Sequence, residues 1–186
     1  PSEVKEHKPA VLKAMQVELA TWHKHQCFER RHRRRARNII DCRWVLKWKM
    51  VEEPGSSSPV RTIRARLTVR GFKDRDAASL ESYAGTSTRW SQRLVASQAV
   101  LRQWRIVSAD VAKASLQGVS YEELSQITGT PLREVCFELP SHCVHLLRTL
   151  PGYDDFDPAS EVLACTKPGT GLRDVPKAFS LKLGQV

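Results

Sequence analysis

Between Pro9 and about Cys27, apolar side chains recur at spacings of three and four: Val11, Leu12, Met15, Leu19 and Trp22. That spacing is the stripe of an amphipathic helix that buries one face, with Pro9 near its start. Farther along, the period changes to two. In IIDCRWVLKWKM, Ile39 to Met50, the residues Trp44, Leu46 and Trp48 fall on one face, and Arg43, Lys47 and Lys49 largely on the other. Val60 to Phe72 repeats the pattern: Ile63, Ala65, Leu67 and Val69 alternate with Arg64, Arg66, Thr68 and Arg70. The turn-rich link VEEPGSSSP joins the two segments, so they predict a β-hairpin with one apolar and one cationic face.

Between the helix and the hairpin lies ERRHRRRAR, Glu29 to Arg37, which is too charged to bury and reads as an exposed loop or strand edge. Residues 88–104 read as a helix on which Leu94, Val95, Gln98, Leu101 and Trp104 can share a face. Arg105 to Ala109 reads as a short strand ending at Asp110. A short helix is expected over Tyr121 to Ile127, closed by the Thr128-Gly129 turn. Strands are expected over Glu134 to Leu139, stopped by Pro140, and over Glu161 to Lys167, with a last helix after Pro176. Strands and helices mixed without strict alternation indicate an α+β fold.

Charge adds an asymmetry that the pattern alone does not reveal. The net charge is +10, and residues 1–75 hold 19 Lys and Arg against 8 Asp and Glu, whereas residues 76–186 hold 11 against 12. A polyanion-facing half joined to a neutral half is the expected organisation, although a solvated basic surface has the same composition. The cysteines Cys27, Cys42, Cys136, Cys143 and Cys165 are odd in number and lack the paired spacing of a zinc site, so free thiols in a reducing compartment are expected. No apolar run approaches the roughly 18–20 residues of a membrane span. The N-terminus carries neither the apolar stretch nor the cleavage site of a secretory signal. An intracellular chain, cytoplasmic or nuclear and not secreted, with no membrane partner, is expected. It lacks an initiator Met, so it is expected to be an excised piece of a longer protein.

Three blocks in order resemble the N-terminal part of the copia-type retrotransposon reverse transcriptase domain. CRWVLKWK followed by IRARLTVRGF is similar to the family's C-K-W-V-F-K-x-K and K-A-R-L-V-x-R-G-F. DVAKASLQG is similar to D-V-K-x-A-F-L-x-G. EVCFELP, PGYDDF and VLACTKPGTGLRDVPKAFSLKL are similar to the family's E-x-Y-M-x-x-P, P-x-G-F and V-x-x-L-x-x-x-L-Y-G-L-K-Q-x-P-R-A-W. The resemblance implies one partial domain over residues 1–186. Residues 1–104 would be the lead-in helix, basic hairpin and fingers, and 105–186 an incomplete palm with further fingers elements.

The resemblance also implies roles. Asp110 would be the first catalytic carboxylate, and Asp110 with the Val111 carbonyl would ligate Mg²⁺, a metal that favours carboxylate and phosphate oxygens. Two metals clamp the attacking and leaving oxygens in such a polymerase. Arg64 and Arg66 would contact the triphosphate of a dNTP, which suits the planar, bidentate guanidinium. Ser115 stands where the family has an aromatic residue against the ribose 2′-OH. Asp174 stands where the family has Gln, and a carboxylate there would repel the triphosphate. Arg30, Arg31, Arg33, Arg34, Arg35, Arg37 and Arg70 are the candidate contacts to an RNA or DNA template-primer, non-specific and salt-dependent. A solvated loop or a nuclear-import signal explains the Arg30–Arg37 run equally well.

The family's paired aspartates come from a later hairpin. Tyr153-Asp154-Asp155-Phe156 mimics that pair, but it lies in Leu-Pro-Gly and Asp-Pro-Ala-Ser loop composition and precedes the GLRDVPKAF block. It is expected to be a loop, with the true pair beyond Val186. The expected function is therefore a reverse-transcriptase-derived part of a Gag-Pol-type polyprotein, ancestrally an RNA-directed DNA polymerase and inactive on its own. The alternatives are a non-catalytic nucleic-acid-binding module and a decayed relic without selected function.

Overall fold

A computed structural model describes residues 2–52 and 58–185. The N-terminal stripe folds as expected. After the short α1 (Ser2–Glu6) comes α2 (Lys8–Lys24), which buries Val11, Met15, Leu19 and Trp22. Trp22 is fully enclosed, and its Nε1 donates to Glu18 Oε1 at 3.3 Å. Its ring meets Phe137 edge-on, with centroids 5.8 Å apart, a favoured aromatic geometry at the centre of the core.

The strands are β1 (Phe28–His32), β2 (Ile39–Val51), β3 (Val60–Val69), β4 (Cys136–Glu138) and β5 (Glu161–Cys165), in the sheet order β1-β5-β4-β2-β3. Among the described residues only the β2–β4 pair is parallel. The α+β expectation holds: a five-stranded mixed sheet is flanked by helices. Strand β2 serves twice. Ile39 to Asp41 pair with β4 inside the sheet, and Cys42 to Val51 pair with β3 as the hairpin. Residues 53–57 of the predicted turn-rich link lie outside the described residues. The basic run divides: Phe28–His32 forms the edge strand against β5, and Arg33–Arg35 form a single 3₁₀ turn. The remaining helices are α3 (Arg89–Leu101), α4 (Tyr121–Thr128), α5 (Val144–Leu147) and α6 (Val175–Leu183). In α4, Ser120 and Glu123 form a reciprocal capping box, and Gly129 closes the helix at φ +67°.

One expectation fails, and one that holds has an unexpected surface. Arg105 to Ala109 is not a strand; it is irregular and exposed up to Asp110, with Val107 at 81%. A strand needs a neighbour for its ladder, and none of the described strands pairs with this segment. α3 forms as expected, capped by the Thr88 side chain accepting from Ser91 N at 3.1 Å, but among its residues only Ala99 is buried. Leu94, Val95, Leu101 and Trp104 are all exposed. Periodicity predicts a face, and only a partner makes that face buried.

A glycine fixes how the chain from β5 to α6 meets the hairpin. Val69 N donates to Thr170 O at 2.9 Å, and the next residue, Gly171, has φ +102°. A Cβ at Gly171 would collide with the Val69 carbonyl oxygen. Gly171→Ala is expected to cost about 2–4 kcal/mol, combining backbone strain with forced displacement. The measurement is a lower urea midpoint at unchanged slope.

Candidate nucleic-acid interface

The antiparallel register sorts the hairpin side chains. Directly opposed pairs share a face, so Cys42–Val69, Trp44–Leu67, Leu46–Ala65 and Trp48–Ile63 form the inner one. Ala65, Leu67 and Val69 are buried there, and α2 packs over β3. Glu3 Oε1 accepts from Trp48 Nε1 at 2.7 Å, and the Arg61 guanidinium lies 4.2 Å over the Trp48 ring. The other face carries the pairs Arg43–Thr68, Val45–Arg66, Lys47–Arg64 and Lys49–Thr62. It holds five cations and no acid among the described residues. Lys47 stands directly across from Arg64, an arrangement that is destabilising without an anion between them. Arg64 and Arg66 are exposed and make no ion pair within the described chain, so the face is free to meet phosphates.

The arginine run behaves differently. Arg30 holds Glu161 bidentately, at 3.0 Å from Nε and 2.7 Å from Nη2, and its Nη1 reaches Gly152 O and Asp155. Those bonds, Glu161 first, raise the Arg30 pKa, and Arg30 in turn holds the Glu161 carboxyl below its usual range. Arg31 pairs with Glu29 and Glu134, Arg33 with Glu138, and Arg70 with Asp41 at 3.0 Å. Lys73 also binds Asp41 at 2.8 Å and is the main reason its pKa is lowered. Arg34, Arg35 and Arg37 are exposed and have no side-chain ion pair among the described residues. The run is thus half structural. Arg30→Ala is expected to lower stability by about 1–3 kcal/mol through the lost charged hydrogen bonds, whereas Arg34, Arg35 and Arg37 changed together to Gln should leave it within about 0.5 kcal/mol. Paired thermal melts check the contrast.

Asp110 is exposed, and no hydrogen bond or ion pair ties it to another of the candidate site residues. Among the described residues no group of three His, Cys, Asp or Glu is placed to hold a metal ion. One exposed carboxylate and the Val111 carbonyl, on an irregular segment, do not fit a two-metal centre. Lys113, three residues on, adopts φ +56° and pairs with the buried Glu18. Ser115 is half-buried, and its Oγ lies 3.1 Å from Thr170 Oγ1, beside the foot of β3. Tyr153-Asp154-Asp155-Phe156 forms turns before β5, with the two aromatic side chains buried and Asp155 bound to Arg30. All five cysteines are unpaired and buried; burial pushes Cys27 and Cys42 up to about 12 and Cys136 to about 11, so these thiols are poor nucleophiles.

Asp174, at the start of α6, points inward and is 2% exposed. Its Oδ2 accepts from Arg133 Nη1, while Arg133 Nη2 donates to Asp74 Oδ2. Asp74 is further held by Asn38 Nδ2 at 2.8 Å and by the Asp76 backbone N–H at 3.0 Å. The Arg133 guanidinium also stacks 5.6 Å over the Tyr121 ring. The sequence gives little warning of this network, since Asn38, Asp74, Arg133 and Asp174 are far apart along the chain and no shared motif links them. The only signal is an isolated Arg in the otherwise bland Pro-Leu-Arg-Glu-Val stretch.

No protein-family model and no solved structure matches this chain. It is 28% identical over 146 residues to the retrovirus-related Pol polyprotein from transposon RE2 of Arabidopsis thaliana, a stretch that is 78% of this chain and 8% of that protein. It is 27% identical over 146 residues to the corresponding polyprotein from transposon RE1, with the same coverage. Among the described residues no helix is long and apolar enough to cross a membrane. The chain is thus related, over most of its length, to a short segment of retrotransposon Pol polyproteins.

Proposed function

We propose that this chain is the fingers and incomplete palm of a copia-type reverse transcriptase, part of a Pol polyprotein, and that by itself it binds nucleic acid without polymerising it. The observation that carries the reading is the acid-free face of the β2–β3 hairpin, where Arg43, Lys47, Lys49, Arg64 and Arg66 stand together. Such a face suits the backbone of an RNA or DNA template-primer, or the phosphates of a dNTP, through contacts that read charge rather than base identity. The similarity to Pol polyproteins supports the retrotransposon origin. Catalysis would need Mg²⁺ at Asp110 and two further carboxylates. Asp110 stands exposed without them, so the chain is expected to contribute binding alone.

The test has two arms. Primer extension on poly(rA)/oligo(dT) with Mg²⁺ or Mn²⁺ is expected to give no product; robust extension by residues 1–186 overturns the inactivity. Fluorescence anisotropy with the same primer-template is expected to give binding that weakens steeply with salt and survives Asp110→Asn. Salt-independent binding, or none at low salt, defeats the nucleic-acid reading.

A further inference from the structure

The cationic face of the β2–β3 hairpin is held unevenly along its length. At the end nearer the sheet, Cys42, Ala65, Leu67 and Val69 are buried on the inner side, so the core fixes the backbone that carries Arg43 and Arg66. Burial fades toward the tip. Trp48 and Ile63 are half-buried, and Met50, Val51 and Val60 beyond them are exposed, Met50 at 57%. Three of the five cations, Lys47, Lys49 and Arg64, sit in this outer half. Lys47 stands directly across from Arg64 there, so the end with the least burial also carries the like-charge pair.

The contacts of Trp48 offset both weaknesses. Ile63 packs on the margin of the core, and Trp48, directly opposite it, is gripped from the N-terminus. Its Nε1 donates to Glu3 Oε1 at 2.7 Å, and the His7 ring meets it edge-on with centroids 5.1 Å apart. The Arg61 guanidinium covers the indole at 4.2 Å. α1, which carries Glu3, is itself anchored: Val4 packs on the core, and His7 N donates to Glu3 O at 3.1 Å. Successive side chains on a strand point to opposite faces. A fixed Trp48 therefore also fixes the backbone of Lys47 and Lys49 and, through the ladder, that of Arg64.

We propose that Glu3, His7 and Arg61 are positioning residues that brace Trp48 and thereby hold Lys47, Lys49 and Arg64 in place for nucleic-acid phosphates. This inference rests on the nucleic-acid reading of the hairpin and adds the part of the chain that sets its affinity. A face that is in place in only a fraction of molecules binds more weakly by that fraction, and ordering it beforehand removes the loss. Glu3 is the telling residue. Its charge opposes a polyanion, yet its hydrogen bond to Trp48 supports binding of one.

The test compares Glu3→Ala with Glu3→Gln in the full chain, by fluorescence anisotropy with poly(rA)/oligo(dT). Both variants lose the same negative charge, which by itself favours a polyanion equally. Only Gln keeps an oxygen that can accept from the indole N–H. Glu3→Ala is expected to bind about three- to tenfold more weakly than Glu3→Gln, the worth of one hydrogen bond, at the same salt slope. Amide hydrogen exchange in Glu3→Ala is expected to quicken at residues 47–50 and 61–64 and to stay unchanged in β4 and β5. Equal affinity of the two variants overturns the brace. Exchange that quickens across the whole sheet also overturns it, since that is the mark of general destabilisation. Wild type that binds no primer-template even at low salt overturns the nucleic-acid reading and this inference with it, a result distinct from two variants that bind equally.

Discussion

Arg133→Met is expected to lower stability by about 3–5 kcal/mol, because it leaves two buried carboxylates with no cation. Against a total of about 5–15 kcal/mol for a domain, that loss brings the chain close to unfolding at room temperature. The side chain of Arg133 is 8% exposed and those of Asp74 and Asp174 are 0% and 3%, so water cannot compensate. The companion change separates charge balance from mere packing. Asp174→Asn leaves one carboxylate for one guanidinium, and its amide oxygen can still accept from Arg133 Nη1. It is expected to stay within about 1 kcal/mol of wild type, and to gain where the pH is high.

The pH dependence follows from the direction of the Asp174 shift. Burial raises its pKa above the ordinary 3.8, against the opposing pull of Arg133. The folded state then holds its proton to higher pH than the unfolded state does, so this contribution is full below 3.8 and is lost as pH rises through the raised value. Asp41 and Glu161, whose pKa values are lowered by Lys73 and Arg30, act in the opposite sense and are lost as pH falls below their ordinary range. Thermal melts of wild type and Asp174→Asn across pH isolate the first slope. Parallel curves for the two proteins would mean that Asp174 carries no excess charge.

The second large effect lies in binding. Changing Lys47, Arg64 and Arg66 together to Gln removes three exposed cations from one face without breaking an ion pair among the described residues. For duplex DNA each lost phosphate contact lowers the slope of log affinity against log salt by about 0.9, so three should lower it by about 2.7. Over a rise from about 50 to 200 mM salt, the triple variant should therefore lose about 40-fold less affinity than wild type. The Gln changes at Arg34, Arg35 and Arg37 give the control for the second basic patch. If they alone flatten the slope and the hairpin variant does not, the interface lies on the 3₁₀ turn rather than on the hairpin.

The sequence by itself determined the elements whose signal is local. The three-and-four spacing of Val11, Met15, Leu19 and Trp22, and the period-two alternation from Arg43 to Lys49 and from Ile63 to Arg70, are written into neighbouring positions. Helix α2 and the two-faced hairpin therefore stand where they were expected. The turn at Gly129 and the loop around Asp154 and Asp155 were legible for the same reason, since glycine, proline and aspartate act on their own backbone. Partnership is not local, and only the tertiary structure decided it. Arg105 to Ala109 has the composition of a strand but no ladder to join, and the α3 face has the period of a core helix but no core against it. The basic run reads as uniform, yet Glu161, Glu134 and Glu138, all more than 90 residues away, bind Arg30, Arg31 and Arg33 and leave Arg34, Arg35 and Arg37 to solvent. Asp174 shows the limit most clearly. A carboxylate in a polar motif reads as a surface charge, and only the approach of Arg133, 41 positions earlier, makes it a buried one.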